Sequence, residues 1–272
     1  MNEFADLSVL VLMLLGGGII SGLMAGLLGI GGGIVLVPVI EIALEIYGVN
    51  ESVRMHIAIA TSLAVIILSS FSSTRAHYKR GAVDIGIITK WAPAMLFGAV
   101  LGSWAASRLD GTILVILFAA LALFVALKML FKGGTKMIRD GIPDHPLVQI
   151  MPYSIGMLSS MVGIGGGVMG VSYMSLFGVP IHRAVGTAAF FGVLIAVPGT
   201  ISFMISGQGI DGMPSGNIGY VSFIGLAIIA PASYFAAPFG ARLAHSLSHQ
   251  KLTFAFGLFL LFVSSQMLYR YL

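Results

Sequence analysis

Long apolar runs, broken by short polar or glycine-rich stretches, repeat along the chain from end to end. A bilayer core of about 30 Å takes about 20 helical residues. On that measure the pattern predicts ten apolar helical segments: 7–28, 33–48, 55–74, 84–107, 111–131, 147–162, 167–179, 183–206, 217–241 and 252–271. Two of these, 147–162 and 167–179, are short for a full crossing. Continuous runs such as Ile113 to Phe131 exclude a transmembrane β-barrel, whose strands alternate apolar and polar residues over roughly ten positions. The opening "MNEFADLSVL" carries Glu3 and Asp6 and no basic residue. It lacks the positive n-region and small-residue cleavage site of a signal peptide, so the first apolar segment reads as a mature helix.

Composition sharpens this to an all-α polytopic membrane protein. Only 9% of the 272 residues are charged and 58% are hydrophobic, against about 25% charged in soluble domains; the mean hydropathy is +1.03. There is no cysteine, which rules out disulfides, thiolate metal ligands and cysteine nucleophiles. The formal net charge of +4 suits basic loops on the cytoplasmic side and calls for no nucleic acid partner.

The chain also repeats itself. "GLLGIGGGIV" at Gly26–Val35 is matched by "SMVGIGGGVM" at Ser160–Met169, with Gly29–Gly33 and Gly163–Gly167 identical. Gly22 and Gly156 fall at the same offset, "ATS" (Ala60–Ser62) resembles "GTA" (Gly186–Ala188), and "SRL" (Ser107–Leu109) resembles "ARL" (Ala241–Leu243). The expected organisation is a first membrane repeat (1–131), a hydrophilic cytoplasmic linker (132–146) and a second membrane repeat (147–272).

Basic residues set the orientation. Arg75, Lys79, Arg80, Lys128, Lys132, Lys136, Arg139, Arg183, Arg242 and Lys251 fall on one side, whereas only Arg54, Arg108 and Arg270 fall on the other. The richer side is cytoplasmic, so both termini are expected to be non-cytoplasmic. Five segments per half then make the repeats inverted in topology, as in many secondary transporters. A re-entrant hairpin from 7–28 and 33–48 would leave that parity unchanged.

Within lipid, non-helical backbone is tolerated only where protein buries it or a watery cavity meets it. Two glycine clusters, one in each half, therefore predict two broken or re-entrant helix junctions near the midplane. The backbone N–H groups of Gly31, Gly32, Gly33, Gly165, Gly166 and Gly167, at the positive ends of the following half-helices, suit a small anion. Three consecutive glycines would weaken an ordinary packing helix by about 1 kcal/mol each. Gly18, Gly22 and Gly26, spaced by four, read instead as a close-packing helix face.

Hydroxyls can donate to an anion without the desolvation cost of a buried charge, which makes Thr61, Ser62 and Thr187 further candidates for substrate binding. Bonding to the preceding helical turn is their alternative. Arg54 and His56, with His182 and Arg183 in the second half, border the third segments and are candidates for vestibules or gates. Glu41 and Glu45, one turn apart, are candidates for carrying a coupling proton, or else solvated interface residues. Arg75, His77, Lys79 and Arg80 are accounted for by topology. His245 and His249 have helical metal-pair spacing but no acidic residue or cysteine near in sequence, so no metal site is expected. No serine sits in a G-x-S-x-G elbow, and neither enzymatic activity nor a cofactor is expected.

With the paired GIGGG motifs, Thr61, Thr187 and the "HYKRGAVD" loop, the chain resembles the sulfite exporter TauE/SafE family, also called the toluenesulfonate uptake permease family, from Leu10 to Leu268. The resemblance implies a bacterial inner-membrane carrier of sulfite, sulfonates or other organosulfur anions. The expectation is a secondary transporter working by alternating access, as a monomer or homo-oligomer. The alternatives are an anion channel and an intramembrane enzyme.

Overall fold

A computed structural model describes residues 3–29, 31–131, 137–143, 145–244 and 249–271, with 3–7 and 249–253 in backbone only. Among the described residues ten α-helices follow one another: α1 (Glu3–Leu28), α2 (Gly33–Ile46), α3 (Glu51–Tyr78), α4 (Ile85–Ala106), α5 (Gly111–Leu130), α6 (Ile150–Val162), α7 (Gly167–Leu176), α8 (Ile181–Ser206), α9 (Phe223–Leu243) and α10 (His249–Tyr271). Among the described residues, seven helices are long and apolar enough to cross a membrane: α1, α3, α4, α5, α8, α9 and α10. The chain is an all-α polytopic membrane protein.

The remaining three, α2, α6 and α7, have 14, 13 and 10 residues. At about 1.5 Å per residue each falls well short of the hydrocarbon thickness. All three adjoin a glycine cluster. The expected segment 33–48 is thus a short helix like 147–162 and 167–179, and it ends two residues early because Gly48, at φ 79°, turns the chain.

Local chemistry sets several boundaries away from the apolar pattern. α3 begins at Glu51, ahead of the expected 55, because the Asn50 side chain caps it by accepting from the Ser52 N–H at 3.0 Å. Its polar end, "SSTRAHY", continues the helix to Tyr78. The start of the expected segment 217–241 is not helical. Asn217–Ile218 and Val221–Ser222 pair as a small antiparallel hairpin with Gly219 in its two-residue turn, and α9 begins only at Phe223.

α3 is the central helix. In its most apolar stretch 83% is buried, against 33–50% for the other six spans. It packs on α2, α8 and α9, while α8 packs on α3, α4 and α7. The remaining large contacts also join the two halves of the chain: α1 lies on α9, α6 on α4, and α5 on α10. Glycine permits the first two crossings. β-Carbons at Gly22 and Gly26 would overlap the carbonyls of Ser233 and Ala237 on α9. At the other crossing, β-carbons at Gly98 and Gly102 would overlap the carbonyls of Tyr153 and Met157 on α6. The backbones are close enough for dispersion contacts along the helix faces, which hold helices together where lipid removes the hydrophobic drive.

Candidate functional site

Each glycine cluster interrupts the helical path by the same device. α1 stops where Gly29 turns to φ 67°, and α2 starts behind Gly32 at φ 79°; α6 stops at Gly163, φ 72°, and α7 starts behind Gly166 at φ 68°. No described non-glycine residue has positive φ. The left-handed conformation costs other residues about 1–2 kcal/mol each, so glycine is the residue that makes these breaks.

The two breaks meet. A β-carbon at Gly31 would lie 3.3 Å from the Gly165 Cα, and one at Gly33 would overlap the Gly163 carbonyl. α3 holds both: Ser62 Oγ donates to the Gly163 carbonyl at 3.0 Å and Ser69 Oγ to the Gly31 carbonyl at 3.1 Å. Among the described residues, the backbone N–H groups of Gly165, Gly166 and Gly167 find no acceptor, as expected at a helix start. Three fully buried hydroxyls without a hydrogen-bond partner adjoin the breaks: Ser21 beside Gly32, Ser70 3.1 Å from a β-carbon at Gly31, and Ser159 3.3 Å from one at Gly166. Buried donors left unsatisfied are costly. Here they gather with the positive ends of two helices, a combination suited to a small oxyanion.

Thr61 and Thr187 occupy matched places with a matched task. Thr61 Oγ1 accepts from the Ser222 N–H at 3.0 Å, and Thr187 Oγ1 accepts from the Asp84 N–H at 2.9 Å. Ser222 and Asp84 are the caps of α9 and α4, whose side chains accept from Gly225 and Ile87. Each threonine therefore anchors the start of a helix in the opposite half. Replacing either by valine leaves that N–H without its acceptor and is expected to cost about 1–3 kcal/mol. A thermal-unfolding series with Thr→Val and Thr→Ser at both positions checks this: serine should restore most of the loss.

The charged candidates lie apart from the breaks. Arg54 is buried against three carboxylates, Glu41 at 3.8 Å, Glu45 at 3.5 Å and Glu51 at 3.8 Å. Arg270, at the end of α10, pairs with Glu41 at 3.7 Å and with Glu45, and the Tyr271 hydroxyl donates to Glu41 at 2.7 Å. This network ties α2, α3 and α10 together at one end. His56 is buried, donates to the Leu109 carbonyl at 3.0 Å and stacks on Tyr220 with ring centroids 4.8 Å apart. Its expected counterpart His182 is exposed, while Arg183 pairs with Asp84 at 3.5 Å. The side chains of His245 and His249 lie outside the described residues.

Comparison with known proteins decides the family. The model of the family described as "Sulfite exporter TauE/SafE" matches residues 14–267. The chain belongs to the TauE/SafE sulfite exporter family. A probable membrane transporter protein of Haemophilus influenzae is 33% identical over 92% of this chain and 95% of its own length. One of Bacillus subtilis is 25% identical over 97% and 98%, and one of Methanocaldococcus jannaschii 27% identical over 92% of each chain. No solved structure matches the chain.

As a TauE/SafE member, the protein is a membrane transporter. Of the hydroxyls that adjoin the breaks, sequence reasoning found Ser62 and passed over Ser21, Ser69, Ser70 and Ser159. For Ser69 and Ser70 a signal was present: "SSFSS" at 69–73 places four serines together near the end of the third segment.

Proposed function

We propose that this TauE/SafE transporter carries a small sulfur-containing oxyanion, such as sulfite or a sulfonate, held between the two glycine breaks and exchanged across the bacterial inner membrane by alternating access. The observation that carries the reading is the meeting of two half-helix starts, with unbonded N–H groups and three unpartnered buried serines. Gly31, Gly32, Gly33, Gly165, Gly166 and Gly167 would supply backbone donors, and Ser62, Thr61 and Thr187 would hold the frame. Because the breaks touch, admitting an anion requires them to part, which is the motion alternating access supplies.

Residues 1–131 and 147–272 would be the inverted repeats, joined by the cytoplasmic linker, with both termini non-cytoplasmic. Reciprocal packing supports this: exchanging the halves converts α1 on α9 into α6 on α4, and α3 on α9 into α8 on α4. The vestibules would be closed by ion pairs, Arg54 with Glu41, Glu45 and Glu51 beside His56 on one side, and Arg183 with Asp84 beside His182 on the other.

Solid-supported membrane currents and radiotracer uptake in proteoliposomes, across sulfite, sulfate, thiosulfate, taurine and larger sulfonates, test the substrate class. Saturable flux with counterflow is expected for at least one sulfur anion; unsaturable flux would instead indicate a channel. Ser70→Ala removes a hydroxyl that bonds no protein group, so it should leave thermal stability unchanged. It should raise the apparent KM about 10–100-fold, since a hydrogen bond to a charged group is worth about 1.5–3 kcal/mol. An unchanged KM moves the anion away from the first break.

A further inference from the structure

A second cluster of charge has a different character. Arg75, Lys79 and Arg80 near the end of α3 converge with Arg242 of α9 on an open pocket of about 470 Å³, lined also by Ser72, Tyr234, Phe235 and Pro238. Arg54, Arg183 and Arg270 all rest on carboxylates. By contrast, no carboxylate among the described residues lies within ion-pair distance of any of these four cations. Arg80 donates to the Ala76 carbonyl at 2.9 Å, and Arg242 lies 5.5 Å from the Phe239 ring centroid. Ser72 Oγ donates to the Tyr234 carbonyl at 2.8 Å and pins α3 to α9 beside the pocket.

Four like charges drawn together without a counter-ion repel one another, and an anion between them relieves that repulsion. The surroundings indicate which anion. Phe235 is 67% exposed, and Phe71 and Phe239 on the same two helices are 54% and 56% exposed. On membrane-crossing helices, exposed rings such as these would face acyl chains. The pocket thus combines phosphate-binding cations with an apolar flank that continues into the bilayer, the arrangement that suits a lipid headgroup between helices. Guanidinium groups recognise phosphate oxygens by paired hydrogen bonds.

We infer that the pocket between the ends of α3 and α9 binds the phosphate headgroup of an anionic phospholipid, with an acyl chain along Phe235 and Phe239. The site is separate from the glycine breaks, and its occupant is a lipid of the surrounding membrane rather than the transported anion. The bound lipid would bridge α3, the central helix, to α9.

Native mass spectrometry and thermal unfolding of the purified full chain test this with phosphatidylglycerol, cardiolipin, phosphatidylcholine, inorganic phosphate and sulfite as probes. The wild type should retain phosphatidylglycerol or cardiolipin adducts and be stabilised by them, and not by phosphatidylcholine, phosphate or sulfite. Arg75→Gln, Lys79→Gln and Arg242→Gln combined should weaken that binding roughly a hundredfold, given the contribution of each cation to attraction for anionic lipid. The single variant Arg242→Gln, at an exposed position, should weaken it about fivefold and guards against misfolding of the triple variant. Equal lipid binding by wild type and both variants overturns the proposal. So does stabilisation by phosphate or sulfite matching that by lipid, which would make the pocket a soluble-anion site.

Discussion

Leucine at Gly26 is expected to separate α1 from α9 and leave little monodisperse protein after extraction. The β-carbon alone would overlap the Ala237 carbonyl and approach the backbone of Gly240 and Ala241. Backbone cannot yield as a side chain does, so the helices must move apart and lose contacts along their whole crossing. Overpacking of a tight core costs about 1–3 kcal/mol and sometimes more; a crossing held by backbone contact belongs at the upper end. Gly16→Leu on the same helix is the control, since nothing lies within 4 Å of a β-carbon there. Fluorescence-detected size exclusion with thermal ramps should show Gly16→Leu close to wild type and Gly26→Leu aggregated or strongly destabilised. Similar profiles for the two would mean that the crossing is not a source of stability.

Transport should be lost most cleanly at Gly166. Alanine there must hold a left-handed backbone, at about 1–2 kcal/mol. Its methyl would meet the Cδ1 end of Ile195 at 2.5 Å and the Cγ2 branch of Ile155 at 3.0 Å. Flexible side-chain ends can shift, so the chain folds, but the cap of α7 is displaced together with the N–H groups that follow it. Flux is expected to fall at least about tenfold, the effect of moving one preorganised donor set by 1.4 kcal/mol. Gly212→Ala supplies the comparison, with φ 80° in the loop before the hairpin and nothing within 4 Å. It carries the same backbone strain without the site. Equal flux in the two variants would remove the second break from the transport path.

Much of this architecture was legible because lipid imposes a simple rule on the sequence. Apolar runs must be helices, and three glycines together must be a break. The duplication of GIGGG made the breaks visible as a pair. Four things were not legible. The depth of α2 could not be read from apolarity, since a short buried helix and a spanning one have the same composition. "NIGYVS" at 217–222 looks like the start of a span, but Gly219 turns it into a hairpin whose Ser222 N–H meets Thr61. The roles of Thr61 and Thr187 were visible as a matched pair and invisible as anchors, because each acts on a residue in the other half. Likewise Arg54 read as a vestibule or gate candidate beside His56, and its carboxylate partners were hidden until α2 and α10 brought Glu41, Glu45 and Arg270 to it.

The exchange of partners between halves bears on how the protein is made. α1 is synthesised first, yet the surface that fits its glycine face is α9, and α4 must wait for α6. A nascent chain that ends before α6 carries glycine-lined faces with no partner, and the start of α4 at Asp84 still lacks its Thr187 anchor. The first half therefore reaches its final packing only as the second half arrives. Synthesised as two separate polypeptides, the halves would each be unstable alone and would complete one another when produced together.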